Sequence, residues 1–234
     1  MMLLFMKKQK YYIKRNSVLK IISIHIPKTA GRSFYQVLKW AYGDKIDLPH
    51  NRDKYVIDGR FDESSIDFNK TEVLHGHFHF RHIEHLYQKY NPKIIVWLRN
   101  PVDRVISNYY YNISINLQKP WKKNADTRKN LTLIKFASRL QHQNAITKFI
   151  EEIKTEDIYF IGITERFDTD IKRLGKMLNW SNPIPKITEN IGTDYYSNSK
   201  VPTQLKDIND KMRKQIRELN LDDVNLYETI TAKQ

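Results

Sequence analysis

The stretch His25-Ile26-Pro27-Lys28-Thr29-Ala30-Gly31-Arg32-Ser33-Phe34 puts a lysine, a glycine and two hydroxyl side chains where a short apolar run gives way to a periodic one. That composition suits an anion site at a helix N-terminus. Unpaired helix N–H groups and the positive end of the helix dipole hold phosphate or sulfate. Gly31 lets backbone approach a ligand closely, and Lys28, Thr29 and Ser33 add charge and donors. A second cluster reads Leu98-Arg99-Asn100-Pro101-Val102-Asp103-Arg104-Val105-Ile106-Ser107-Asn108-Tyr109. Arg99 can grip a phosphate with two parallel hydrogen bonds, and Ser107 lies two helical turns further on.

A third group comprises His75, His77, His79, His82 and His85. The first three alternate, so an extended strand would present them on one side, with the last two on a following helix. An HxH pair supports two chemistries. One is metal ligation through neutral imidazole. The other is general-base catalysis, since an unperturbed pKa of about 6.5 suits removal of a hydroxyl proton at neutral pH. His25 is expected in or beside the first strand.

These residues need elements to carry them. The β-branched run 20–26 (KIISIHI) predicts a buried strand closed by Pro27, and Phe34, Val37, Leu38 and Ala41 make one face of a helix over 32–42. The pattern recurs at 93–98 (KIIVWL), followed by Pro101 in a first helical turn and a stripe of Val102, Val105, Ile106 and Tyr109. It recurs again at 157–162 (DIYFIG), before a helix over 165–178 with Phe167, Ile171, Leu174 and Leu178 on one face. Alternating strands and helices predict an α/β fold, a P-loop-like domain whose central parallel sheet is flanked by helices. Both anion clusters then fall at the carboxyl ends of strands, where open parallel sheets bind ligands. A polar stretch at 43–70, a helix over 131–150, a long loop at 179–202 and amphipathic helices over 205–230 complete the chain. The predicted division is a basic N-terminal segment, 1–19, and a single domain, 20–234.

Composition sets limits. The chain has 234 residues, with 40 Lys and Arg against 26 Asp and Glu, a net charge of +14 that favours anionic partners. Hydrophobic residues at 40% supply a core and exclude collagen-like or wholly disordered chains. The absence of cysteine excludes disulfides, thiol catalysis and Cys-ligated metal. Residues 1–20 hold Lys7, Lys8, Lys10, Lys14, Arg15 and Lys20 without an acid, and 119–135 is also basic, with Asp126 its one acid. Such runs serve as solvated surface or attract a phosphorylated or polyanionic ligand. The apolar opening Met1 to Met6 is shorter than a membrane span of about 20 residues and than a leader's apolar region of about 7 to 15. A soluble, cytoplasmic protein is expected, its basic N-terminus suited to peripheral contact with a membrane.

Walker-type loops place Lys after the second glycine and an acidic magnesium ligand on a neighbouring strand. Here Lys28 precedes Gly31 and the second strand runs into Arg99, which disfavours nucleoside triphosphate hydrolysis. Taken together, HIPKTAGRSF and LRNPVDRVISNYY resemble the 5′ and 3′ phosphate-binding motifs of sulfotransferases that use 3′-phosphoadenosine 5′-phosphosulfate. The closer resemblance is to the carbohydrate branch containing heparan sulfate 2-O- and 6-O-sulfotransferases. His75-Gly76-His77 is similar to that branch's catalytic histidine segment, 162–167 (GITERF) to its G-x-T-E turn, and 223–227 (DVNLY) to its D-x-x-L-Y helix.

The resemblance implies the sulfotransferase fold. It implies that Lys28, Thr29, Ala30, Gly31, Arg32, Ser33 and Phe34 hold the 5′-phosphosulfate, and Arg99 and Ser107 the 3′-phosphate. His77, with His75 as second choice, becomes the general base, and Lys28 stabilises the leaving phosphate without a metal. Arg32 departs from the small or hydroxyl residue usual there. The implied acceptor is a carbohydrate hydroxyl, on an acidic polysaccharide or a glycolipid, and no nucleic acid is expected. Residues around 188–190 would close over the nucleotide. Three other readings remain at this level: a P-loop phosphotransferase such as a kinase, a non-catalytic polyanion-binding module, and a metal-dependent hydrolase at the histidines.

Overall fold

A computed structural model describes residues 18–48, 55–118, 131–181, 183–185 and 208–234. In chain order its elements are β1 (Ile21–Ile24), α1 (Gly31–Tyr42), β2 (Ile46–Asp47), β3 (Val56–Ile57), β4 (Arg60–Phe61), β5 (Val73–Gly76), α2 (Phe80–Tyr90) and β6 (Lys93–Leu98). There follow α3 (Pro101–Gln118), α4 (Leu133–Ala137), α5 (Ala145–Ile150), β7 (Phe160–Ile163), α6 (Phe167–Met177), α7 (Asp210–Glu218) and α8 (Leu221–Ala232).

Five strands form one sheet in the order β2-β5-β1-β6-β7, and every pairing is parallel. The short β-branched runs are buried on both faces, as strands covered by helices must be. Alternation sorts their side chains. Ile21, Val73, Ile95, Trp97 and Phe160 pack beneath Phe34, Val37 and Leu38 of α1 and Ile171 and Leu174 of α6. Ile22, Ile24, Leu74, Val96, Leu98 and Ile163 face Ile83 and Leu86 of α2, Ile146 and Ile150 of α5, and Ile230 of α8. A further cluster joins α3, α4 and α7 through Val105, Tyr109, Leu133, Phe136 and Ile216. The strand order reverses around β1, with β5 on one side and β6 on the other. The loop after β1 therefore opens beside the ends of both neighbours.

The structure moves several predicted boundaries. The strand expected at 157–162 begins at Phe160, because Thr155–Asp157 closes a 3₁₀ turn first. The helix expected over 131–150 is broken into α4, a 3₁₀ turn at Leu140–His142, and α5. Asn144 supplies the break with a φ of 47°. Its backbone N–H donates to Asn220 and its side chain to Asp222. Asp223 then caps α5, accepting the N–H groups of Ile146 and Thr147 at 3.0 and 2.8 Å. The helix expected over 165–178 opens as a 3₁₀ turn, Thr164–Arg166. Most of the 179–202 loop, the basic N-terminal run and residues 119–130 lie outside the described residues. Among the described residues no helix is long and apolar enough to cross a membrane.

Candidate functional site

At the end of β1 the His25 N–H still donates to Gly76 at 2.8 Å; Pro27 then brings no N–H to a ladder. The chain turns through Lys28 and Ala30, whose φ values of 72° and 60° lie in the left-handed region. A non-glycine residue there costs on the order of 1 kcal/mol, and such turns aim successive N–H groups to one side as anion-binding concavities. Ala30 occupies the N-cap of α1 without a side-chain cap bond, so the first N–H groups of the helix have no intrahelical acceptor.

The second cluster is anchored from several directions. Asn100 caps α3 by accepting the N–H groups of Val102 and Asp103. The Asn100 N–H donates to Glu165 at 2.9 Å, the Thr164 hydroxyl to the Leu98 carbonyl at 2.8 Å, and the Tyr227 hydroxyl to Glu165. The G-x-T-E turn and the D-x-x-L-Y helix thus meet at the end of β6. Gly162 is required there for packing, since a Cβ on it would come within 2.6 Å of the Trp97 ring. Arg99 donates from Nη1 to the Lys28 carbonyl at 3.3 Å, tying the two junctions together.

Between the junctions lies a cavity of about 520 Å³ lined by Lys28, Ala30, Gly31, Arg32, Ser33, Arg99, Ser107 and His77, with His25, Pro27, Asn108, Tyr110, Tyr111 and Thr164 completing the wall. No carboxylate is among these residues. Burial, Arg99 and Arg32 push the Lys28 ammonium down from 10.5 to about 8. Its Nζ sits 4.3 Å from the centroid of the Tyr111 ring, a cation–π contact.

Three predicted residues build the cavity without lining it. The Thr29 side chain is turned inward, its hydroxyl donating to Ile26 at 2.9 Å. Phe34 is fully buried and packs on Trp97. His75 is 1% exposed and pairs through Nδ1 with the Ser23 hydroxyl at 2.8 Å. Tyr110, Tyr111 and His25 were not assigned from sequence. The two tyrosines follow Ser107 at the helical spacings of three and four, a signal that was present.

The histidines do not share one strand face as predicted, because β5 ends at Gly76 and His77 lies beyond it. His77 places Nδ1 2.7 Å from the His25 carbonyl. A carbonyl only accepts, so Nδ1 carries the proton and Nε2 is the proton-accepting nitrogen of the neutral ring. His79 donates to the Lys148 carbonyl and stacks on Phe149, and His82 accepts from the His79 N–H. His85 lies 3.8 Å from Glu63, with burial holding it below the usual imidazole range. These three belong to the packing of α2. Among the described residues no set of three or more His, Asp or Glu side chains could hold a metal ion.

Residues 11–228 match the model described as the sulfotransferase family. A search of curated proteins found no match. Among solved structures, a sulfotransferase from Alicyclobacillus acidocaldarius is similar at a TM-score of 0.54 and 14% identity, over 91% of this chain and 95% of that one. The mouse sulfotransferase SULT7A1 complexed with PAP is similar at a TM-score of 0.51 and 15% identity, over 86% of this chain and 83% of that one.

Proposed function

The chain belongs to the sulfotransferase family, and from that premise we propose that it transfers a sulfuryl group from 3′-phosphoadenosine 5′-phosphosulfate to a hydroxyl of a carbohydrate acceptor, in line and without a metal. One observation carries the reading: a single cavity joins a helix N-terminus with Lys28, the pair Arg99 and Ser107, and the His77 imidazole, with no carboxylate among the described residues of its wall. Burial, with Arg99 and Arg32 beside it, holds the Lys28 ammonium low, and a donor with phosphates at both ends suits a cavity carrying these cations. The mouse relative's complex with PAP is consistent with this donor.

The donor supplies the sulfuryl group and leaves as adenosine 3′,5′-bisphosphate. Lys28 and the N–H groups of Gly31, Arg32 and Ser33 hold its 5′ end and stabilise charge gathering on the leaving oxygen. Preorganised donors of this kind contribute about 3 kcal/mol each. Arg99 and Ser107 hold the 3′-phosphate, and Arg32 reinforces the positive field from a more exposed place. His77 accepts the acceptor hydroxyl's proton at Nε2 as oxygen attacks sulfur. A kinase would need a magnesium ligand here, and the described residues of the wall include no carboxylate for one. An acidic polysaccharide or glycolipid acceptor suits the chain's +14 charge, and the cytoplasm is the proposed location.

The test is transfer of radiolabelled sulfate from the nucleotide donor to a panel of neutral and acidic glycans, with bisphosphate binding measured by calorimetry. Saturable bisphosphate binding with label on a glycan supports the reading. Absence of bisphosphate binding sinks the donor assignment, and label appearing only on non-sugar hydroxyls sinks the carbohydrate one.

A further inference from the structure

His25 has no role in the reaction as set out above, yet it touches both the histidine pair and the head of α1. Its ring stacks with two others, with centroids 5.0 Å from His75 and 4.0 Å from His77 and interplanar angles of 20° and 24°. His75 is itself fixed by the Ser23 hydroxyl and flanked by Phe34 and Tyr35. On the other side the His25 ring presses on the first residue of α1. A Cβ on Gly31 would stand 1.9 Å from His25 Cδ2 and Nε2, so the ring occupies space that a side chain at that position would need. Gly31 therefore serves the imidazole as well as any ligand.

His25 holds His77 in two independent ways. Its carbonyl accepts the Nδ1–H at 2.7 Å and fixes the tautomer. Its ring covers one face of His77 and opposes the rotation that a single hydrogen bond permits. The groups facing His25 are His75, His77, Lys28 and Arg32, none of them acidic. Burial and these neighbours hold it well below the ordinary imidazole range, hence neutral. A neutral, flat spacer orders its neighbour without placing a further positive charge beside it.

We infer that His25 is a positioning residue, clamping the His77 imidazole against the head of α1 so that the phosphate-holding loop and the base keep one fixed geometry. This rests on the reading of His77 as the base. A misplacement of about 1 Å in a catalytic group costs on the order of 100-fold in rate, which sets the scale for losing the clamp.

Four variants and one spectroscopic readout test it. His25→Ala is expected to lower kcat about 10- to 100-fold while the Kd for adenosine 3′,5′-bisphosphate stays within about threefold. His25→Phe, which keeps volume and a stacking face, is expected to recover most of kcat. In ¹⁵N-labelled protein without substrate, the His77 Nδ1–H signal should be sharp in wild type and His25→Phe and broadened in His25→Ala. Gly31→Ala should weaken bisphosphate binding and lower Tm, and both losses should shrink when His25→Ala is added, because the colliding ring is gone.

Wild-type kcat in His25→Ala with the His77 signal unmoved overturns the inference. So does a dead His25→Phe whose His77 signal is intact, since that outcome gives His25 proton-transfer chemistry of its own. A double variant as impaired as Gly31→Ala alone overturns the steric part. If transfer survives in His77→Ala, the base assignment fails instead, and the substrate-free spectra still decide whether His25 orders His77.

Discussion

Lys28 offers a quantitative test of the site, because its pKa of about 8 is a property of the ligand-free cavity. A bound phosphate beside it would restore the ammonium toward its ordinary value of 10.5, so binding above pH 8 takes up a proton. The sign follows from linkage. Affinity is fully present below the ligand-free pKa and falls as pH rises through it, until the bound form also titrates. With pKa values of about 8 and 10.5, moving from pH 7 to pH 9 weakens binding about tenfold, with uptake of close to one proton per site at pH 9. Phosphate monoesters are already about nine-tenths doubly ionised at pH 7, their second pKa being about 6, so their own titration adds little over this range. The assay is calorimetric titration with adenosine 3′,5′-bisphosphate at pH 7, 8 and 9, in paired buffers of different ionisation heat. Lys28→Met should bind more weakly at pH 7 and lose the dependence. A Kd that is flat from pH 7 to 9, or a slope that persists in Lys28→Met, refutes the assignment of this charge to the ligand.

Three other outcomes are expected. His77→Ala should lower kcat about 10²- to 10⁴-fold, the usual worth of a positioned general base, with bisphosphate Kd nearly unchanged by calorimetry. Asp223→Ala should cost about 1–3 kcal/mol in urea unfolding, since Asp223 is fully buried and accepts the Ile146 and Thr147 N–H groups and the Thr147 hydroxyl. Gly162→Ala should lower stability by about 1–3 kcal/mol, the range for overpacking, because its methyl would meet Trp97 at 2.6 Å; an unchanged Tm would show that the sheet yields there.

Three of the strand-to-helix units were legible because they depend on local signals, β-branched runs followed by Pro or by apolar residues at helical spacing. Both anion clusters were legible for the same reason, each being contiguous in sequence. What escaped was set by contacts distant along the chain. Asn144 breaks the helix expected over 131–150 because Asn220, Asp222 and Asp223, far along the chain, bind its turn and cap the next helix. Alternation suggested a strand through His79, but the ladder stops at Gly76 and His79 turns to Lys148 instead. The loop sequence explains Gly31 only as a point of close ligand approach, while the ring that forbids a side chain there belongs to His25. Thr29 and Phe34 sit inside the recognised motif and still face the core, so a motif's span is wider than the set of side chains that reach a ligand.

The cavity also carries a cost that the fold opposes elsewhere. Holding Lys28, Arg32 and Arg99 around one space, with no carboxylate among the described residues that line it, disfavours the ligand-free state. The depressed ammonium sets an upper scale of about 3 kcal/mol for Lys28, at 1.36 kcal/mol per pKa unit and before solvent screening reduces it. Because the folded pKa is lowered, that cost is present at neutral pH and is relieved as pH rises from about 8 to 10.5. The opposing contributions lie away from the cavity wall: the two-faced core around β1 and β6, the Asp223 cap, and the Glu165 bonds that pin the end of β6. Rigid strand ends keep like charges close when they would otherwise separate, and a multiply charged anion bound among them would relieve their repulsion. The net charge of +14 does not produce this focus; three cations gathered on a wall whose described residues include no acid do.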